Sequence, residues 1–263
     1  MIKAIFLDID DTLIKYGNYY VEKSAVEAIN QAKEKGIIVI VATGRGYSFL
    51  HQDVKDSVKP DYYITVNGTC ISDKDGKCII NTPIDEDDID KLIDICLKRD
   101  YPFGIKFPND FMVYHRYDDF VGQYCNKAIS KDNLHDNTLT KDYHKSFPPL
   151  DLFMYSKDKE AMKLKEVFTD LNFCEAYGDG CECWSNKANK GRAIQQVCDL
   201  LNISLDQCMA FGDAGNDIEM LQMCGIGVCM GNGKEMAKKA ADYITTDIDN
   251  DGIYNALKHF NII

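Results

Sequence analysis

No apolar run in the 263-residue sequence reaches the ~18 residues needed to cross a bilayer. Nor does the chain open on a basic segment followed by an apolar one, so no secretory leader is expected and a cytoplasmic, membrane-free protein is. Positive charge is also scarce. Lys and Arg total 30 against 42 Asp and Glu, a net charge of −12. That balance argues against nucleic acid as a partner. It also repels anionic substrates at long range, so an anionic substrate would need local cations or a metal. The five His are scattered and none is assigned a role. There is no internal repeat and no low-complexity segment. Eleven Cys are present, but most lie in apolar runs (Cys70, Cys96, Cys198, Cys208, Cys224, Cys229), as reduced core residues do. Cys181 and Cys183 lack the second pair or the spaced His that a metal site would need.

What is present is the composition of a soluble globular protein, 45 % apolar and 27 % charged, long enough for one large domain or two small ones. Its most informative stretch is Lys3 to Leu13, KAIFLDIDDTL. The apolar run Ala4 to Leu7 predicts a short buried strand, and Asp8, Asp10 and Asp11 crowd its carboxyl end. Carboxylates so close repel, and the usual compensation is a bound cation or a proton held at raised pKa. In open α/β sheets ligands bind beyond the carboxyl ends of strands.

The spacing then predicts a helix over Ser24–Lys35 closed by Gly36, and a doubly buried strand over Ile37–Ala42 ending at Thr43-Gly44-Arg45. A helix over Tyr47–Val58 and a strand over Tyr62–Val66 follow, the strand ending at Asn67-Gly68. This β-α-β-α-β order implies a parallel sheet. Cys70 to Ile80 reads as a hairpin turning at Lys74–Lys77. After Pro83 the texture changes. An acidic helix over Ile84–Arg99, strands at Phe103–Phe107, Phe111–His115 and Leu150–Tyr155, a helix over Lys159–Leu171 and strands at Phe173–Tyr177 and Glu182–Ser185 make a mixed α/β insertion. The βα rhythm returns with a helix over Lys190–Leu201 and a strand over Gln207–Phe211 that runs into GDAGND, residues 212–217. Shorter elements follow: helices over Ile218–Met223 and Lys234–Ala241, strands at Ile226–Met230 and Tyr243–Thr245, and a closing helix over Ile253–Phe260.

In a parallel sheet these strand ends share one edge. Asp213 and Asp217 therefore face Asp8 and Asp10, and three or four carboxylates at one point form a hard oxygen site suited to Mg²⁺. Other acidic or glycine-rich loops are weaker. Asp247–Gly252 begins like a calcium loop, but Lys258 occupies the twelfth position. Gly231–Lys234 lacks the hydroxyl residue of a nucleotide loop. Asn67-Gly68-Thr69 fits a glycosylation pattern that a cytoplasmic chain leaves inert.

The four polar strand ends, taken together, resemble the motifs of the haloacid dehalogenase superfamily, and within it the Cof-type phosphatases. FLDIDDTL (6–13), ATGR (42–45), Lys190 in NKG (189–191) and GDAGND (212–217) carry the likeness across the whole chain. The resemblance implies a Rossmann-like parallel-sheet core over residues 1–83 and 186–263 with an inserted α+β cap over 84–185. It implies Asp8 as nucleophile, Asp10 as general acid and base, and Mg²⁺ held by Asp8, Asp10 (through its carbonyl) and Asp213. Thr43, Gly44, Lys190 and Asn216 would hold the substrate phosphate, and Asp217 would orient the ligands and Lys190. Arg45 is either a surface residue or a substrate contact. Asp11 departs from the family, which usually has Gly there. The expected activity is Mg²⁺-dependent hydrolysis of small phosphorylated metabolites, sugar phosphates among them, through an aspartyl-phosphate. A sugar phosphomutase and a non-catalytic metal- or phosphate-binding module are the alternatives.

Overall fold

The computed structural model describes residues 1–125 and 130–263. The chain divides into two compact units. The first comprises Met1–Arg45, Leu50–Ile79 and Asn189–Ile263, and the second Gly46–Phe49 and Ile80–Ala188.

In chain order the strands begin with β1 (Ala4–Leu7), β2 (Ile38–Ala42), β3 (Tyr62–Thr65), β4 (Cys70–Asp73) and β5 (Cys78–Asn81), with helix α1 (Lys23–Glu34) between β1 and β2. The middle of the chain supplies α2 (Glu86–Lys98), β6 (Phe103–Lys106), β7 (Phe111–His115), α3 (Tyr117–Tyr124), β8 (His135–Asp136), β9 (Asp151–Tyr155), β10 (Leu171–Glu175) and β11 (Gly180–Ser185). The last part adds α4 (Lys190–Leu201), β12 (Cys208–Gly212), α5 (Ile218–Met223), β13 (Ile226–Cys229), α6 (Glu235–Ala240), β14 (Tyr243–Ile244) and α7 (Gly252–His259).

One sheet runs β14-β13-β12-β1-β2-β3-β4-β5. From β14 to β3 every pairing is parallel, and β4 then turns back antiparallel on β3. Every residue of β1 and of β12 is buried, because a parallel sheet covered on both faces has no polar side to show. This placement sets β1 and β12 side by side, with Leu7 opposite Phe211. Their carboxyl ends, and with them the two acidic loops, emerge together.

The second unit holds a sheet in the order β10-β11-β9-β6-β7-β8, antiparallel except between β7 and β8. On one face Ile89, Leu92 and Cys96 of α2 pack with Ile105, Leu152, Met154, Cys181 and Cys183. Cys181 and Cys183 are thus core side chains two residues apart on one strand face. A separate aromatic cluster joins Phe111, Phe120, Phe153 and Tyr155 with Phe49.

Two expected helices are not α-helical. Tyr47–Val58 resolves into a single 3₁₀ turn at Tyr47–Phe49 and one wide turn at Val54–Val58. Its first three residues belong to the second unit and Leu50 to the first, which interrupts any continuous helix there. Between Lys157 and Glu166 the chain makes 3₁₀ turns, with Asp158 and Lys159 in the left-handed region at φ 53° and 55°. Ala161 and Leu164, three apart, are its buried residues, which is the spacing a 3₁₀ turn stacks on one edge. Helix α3, conversely, had no clear signal: Phe120 is its only buried residue. The acidic loop before α7 is a short turn at Ile248–Asn250.

Candidate active site

The turn after β1 is shaped by Asp11, which sits at φ 60°. Glycine reaches that region without steric cost, and Asp or Asn with little. The departure from Gly is thereby accommodated. The Asp11 carboxylate also accepts the Tyr16 N–H at 2.8 Å, and its N–H donates to the Ile14 carbonyl at 2.7 Å. Asn232 closes the turn from outside, donating from Nδ2 to the Asp11 carbonyl at 2.8 Å, while its Oδ1 accepts the Ile248 N–H at 2.9 Å.

Inside this turn three carboxylates gather. Asp8, Asp213 and Asp217 each place an oxygen within 4.8 Å of the others, and all three are buried. Lys190, the first residue of α4, points its ammonium between two of them: Nζ lies 2.5 Å from Asp8 Oδ1 and 2.7 Å from Asp217 Oδ1. Its helix is started by Asn189, whose side chain accepts the Arg192 N–H at 2.7 Å. Burial pulls the Lys190 pKa down, but Asp217 and Asp8 outweigh it and hold it above the ordinary lysine value. The second Asp217 oxygen accepts the N–H groups of Asp213 and Ala214, both at 2.9 Å. Asp217 is therefore saturated with donors.

Asp8 and Asp213 are not. Burial pushes the Asp8 carboxyl well up, with Lys190 opposing and Asp217 and Asp10 adding to the rise. Burial, then Asp217 and Asp11, push Asp213 up to about 7, with Lys190 and Lys234 opposing. The Thr12 hydroxyl approaches Asp213 only to 3.5 Å. One ammonium against three buried carboxylates leaves negative charge in excess. The donors are all hard oxygens, so the residues fit a divalent cation at Asp8 and Asp213.

The remaining predicted residues are placed as follows. Thr43 is fully buried at the end of β2, and its hydroxyl accepts the Arg45 N–H at 3.1 Å. Gly44 lies against Asn67: a Cβ there would stand 2.9 Å from Asn67 Oδ1. Asn216 is exposed, and its amide reaches Asn67 Oδ1 at 3.5 Å. The Asp10 carboxylate does not join the buried cluster; both its oxygens are held by Arg45. Sequence reasoning gave Asn67 no role and left Arg45 as either a surface residue or a substrate contact. Asn67 sits in a run of three left-handed residues, Val66, Asn67 and Gly68, at φ 49°, 54° and 99°. Gly68 passes so close to the start of α4 that a Cβ would fall 2.3 Å from the Asn189 carbonyl oxygen. The Asn-Gly pair signals such a turn; a β-branched Val at positive φ has no sequence signal.

A sequence profile of the haloacid dehalogenase-like hydrolases matches residues 5–257. Phosphatase YwpJ of Bacillus subtilis is 27 % identical, the match covering 98 % of this chain and 99 % of that protein. A relative from Streptococcus pyogenes, 25 % identical along 100 % of this chain, is longer, and the chain spans 54 % of it. Among solved structures, a sugar phosphatase of superfamily subclass IIB superposes with a TM-score of 0.84 at 27 % identity, covering 99 % of this chain and 100 % of that one. No helix among the described residues is long and apolar enough to cross a membrane.

Proposed function

The chain belongs to the haloacid dehalogenase-like hydrolase family, and on that premise we propose that it is a divalent-cation-dependent phosphatase of small phosphorylated metabolites, sugar phosphates foremost. The observation that carries this reading is the buried set of Asp8, Asp213 and Asp217 around Lys190 at the paired ends of β1 and β12. The resemblance to a solved sugar phosphatase supports the substrate class.

Phosphate monoesters hydrolyse extremely slowly unaided, because the dianion repels nucleophiles. In the proposed scheme Asp8 attacks phosphorus through a carboxylate oxygen and forms an aspartyl-phosphate, dividing one hard step into two. Asp10 protonates the departing alkoxide and then takes a proton from the attacking water. Lys190 holds Asp8 in place and offers its ammonium to the phosphoryl oxygens, while Thr43, Gly44 and Asn216 supply donors around them. Asp217, saturated by Lys190 and two backbone N–H groups, orients the lysine rather than reacting. Asp8 and Asp213, with the main-chain carbonyl of Asp10, would hold Mg²⁺. When bound, the cation offsets the combined negative charge of nucleophile and phosphate. The inserted segment 84–185 is proposed to act as a cap that selects the leaving group.

The test is a panel of phosphorylated metabolites assayed for free phosphate with Mg²⁺. Turnover is expected to fall by about 1,000-fold or more in Asp8→Asn, which removes the nucleophilic oxygen but keeps the shape. Wild-type activity surviving in that variant would remove Asp8 from its role.

A further inference from the structure

Two pairs of thiols in the first unit lie in sulfur–sulfur contact. Cys70 and Cys78 are 3.5 Å apart at Sγ, and Cys198 and Cys208 are 3.4 Å apart. All four are free thiols. A disulfide holds its sulfurs about 2.0 Å apart, so closing either pair asks each sulfur to move by less than about 1 Å.

Access differs between the pairs. Cys198 on α4 and Cys208 at the start of β12 are fully buried. Cys70, the first residue of β4, is fully buried as well. Cys78 is half-buried and opens β5, the last strand of the sheet. Its chain neighbours Lys77 and Ile79 are exposed. An edge strand has no further strand to shield it. The pair is also polarised. The Cys70 S–H donates to Cys78 Sγ, and that bond, with burial adding to it, pushes the Cys70 thiol up. The buried sulfur keeps its proton and also lies 3.6 Å from Ser72 Oγ. The outer sulfur is the acceptor, so the sulfur that a reagent can reach is the electron-rich member of the pair.

We propose that Cys70 and Cys78 form a reversible oxidation site, which takes a peroxide as its two-electron oxidant and closes the β4–β5 hairpin with a disulfide. The Cys78 sulfur, as thiolate, gives an electron pair to one peroxide oxygen. The O–O bond breaks, and the departing hydroxide takes up the proton that Cys78 has lost. Cys78 is then a sulfenic acid. The Cys70 sulfur attacks the Cys78 sulfur, the S–O bond breaks, and the hydroxide leaves with the Cys70 proton as water. Two thiols and one hydrogen peroxide thus become one disulfide and two waters. A dithiol reductant reverses the bond by exchange. No part of this chemistry uses the phosphatase site.

Peptide mapping of the whole chain tests this. The protein is treated with hydrogen peroxide, its remaining thiols are alkylated in denaturant, and it is digested with trypsin without reductant. Peroxide is raised until Cys174, exposed on β10, is oxidised. Trypsin cuts after Lys74 and Lys77, so a Cys70–Cys78 bond joins peptide 56–74 to peptide 78–91. The linked peptide should appear with peroxide and vanish when dithiothreitol is added before alkylation. Cys198 and Cys208 should be recovered as alkylated thiols, with a bonded fraction at least about tenfold lower. In Cys78→Ser, or in Cys78→Ala if that variant does not fold, Cys70 should stay a thiol under the same peroxide. Recovery of the two peptides unlinked overturns the oxidation site. Cys70 bonded to another cysteine overturns the pairing, and Cys70 oxidised in the Cys78 variant overturns Cys78 as the point of entry. A Cys198–Cys208 bond forming as readily overturns access as the deciding factor.

Discussion

Each unit buries a lysine against two acids, and the two arrangements differ in instructive ways. In the first unit Lys190 lies between Asp8 and Asp217. In the second, Lys106 on β6 lies 3.3 Å from Asp151 on β9 and closer still to Glu182 on β11. Both lysines are held charged by their acids against the pull of burial. In both sets burial drives one acid up, Asp8 in the first and Asp151 in the second. What separates them is the surroundings. Asp217 accepts two backbone N–H groups from a loop at a strand end, and a third carboxylate, Asp213, stands beside the pair. The Lys106 set lies along the strands, with the ammonium 6.0 and 5.8 Å from the ring centres of Phe111 and Phe153. Among the described residues neither Asp151 oxygen has a hydrogen-bond partner. A buried lysine between acids is thus common to both units. Backbone donors to Asp217 and a third carboxylate at a strand end distinguish the Lys190 set.

Substituting the two lysines probes that contrast most strongly. Lys190→Met is expected to reduce phosphate release by about 1,000-fold, since it removes both the grip on Asp8 and the charge offered to the phosphoryl group. Lys106→Met should leave kcat/KM for p-nitrophenyl phosphate within about threefold. It should nevertheless cost about 3–5 kcal/mol in urea unfolding, because buried Asp151 and half-buried Glu182 are left without their cation. Replacing Asp151 and Glu182 by Leu as well should recover most of that loss. Equal loss of turnover from both lysine changes would erase the distinction.

A smaller effect concerns pH in the metal-free protein. Asp213 is raised in the folded state from 3.8 to about 7. Between those values the folded chain binds more proton than the unfolded chain, so stability falls as pH rises, by up to about 1.4 kcal/mol per pH unit, and levels off above about pH 7. Asp8, also raised, contributes with the same sign. Melting curves in chelator from pH 4 to 8 should show a shallower slope for Asp213→Asn than for the wild type. Identical slopes would mean that Asp213 is not the group being held protonated. The Lys106 cluster predicts no change in that slope on adding Mg²⁺, whereas the Asp213 component should flatten.

Smallest is Asp11→Gly. The left-handed backbone is eased while one hydrogen bond to Tyr16 is lost, so stability should stay within about 1 kcal/mol of the wild type by chemical unfolding. A larger loss would make the carboxylate itself a structural necessity of the turn.

These contrasts also explain what the sequence disclosed. The parallel strands were legible because double burial writes them as solid apolar runs, such as Ile38–Ala42 and Cys208–Gly212. The polar strand ends were legible because clustered Asp interrupts such runs, and topology then brings Asp8 and Asp213 together. The Lys106 cluster was not legible. Its members are single polar residues on three separate strands, and each reads alone as an exposed position in an alternating pattern. Arg45 was ambiguous for a different reason. Its partner Asp10 lies 35 residues away, and no change in composition marks Gly46–Phe49 as leaving the first unit. The turns at Lys157–Glu166 have good helix-forming residues, and burial at every third position overrides them.

The central place of β1, between β2 and β12, also bears on how the protein is made. Asp8 and Lys190 are 182 residues apart in the chain. At a synthesis rate of about 5–20 residues per second, the lysine follows the aspartate by roughly 10–40 seconds. During that interval β1 can pair with β2, but its other edge has no β12 to meet, and the crowded carboxylates have no ammonium between them. A nascent chain therefore presents a half-finished sheet with an open apolar edge. The stage of synthesis most exposed to misassembly is the long wait for residues 190–213, well after the first strands have formed.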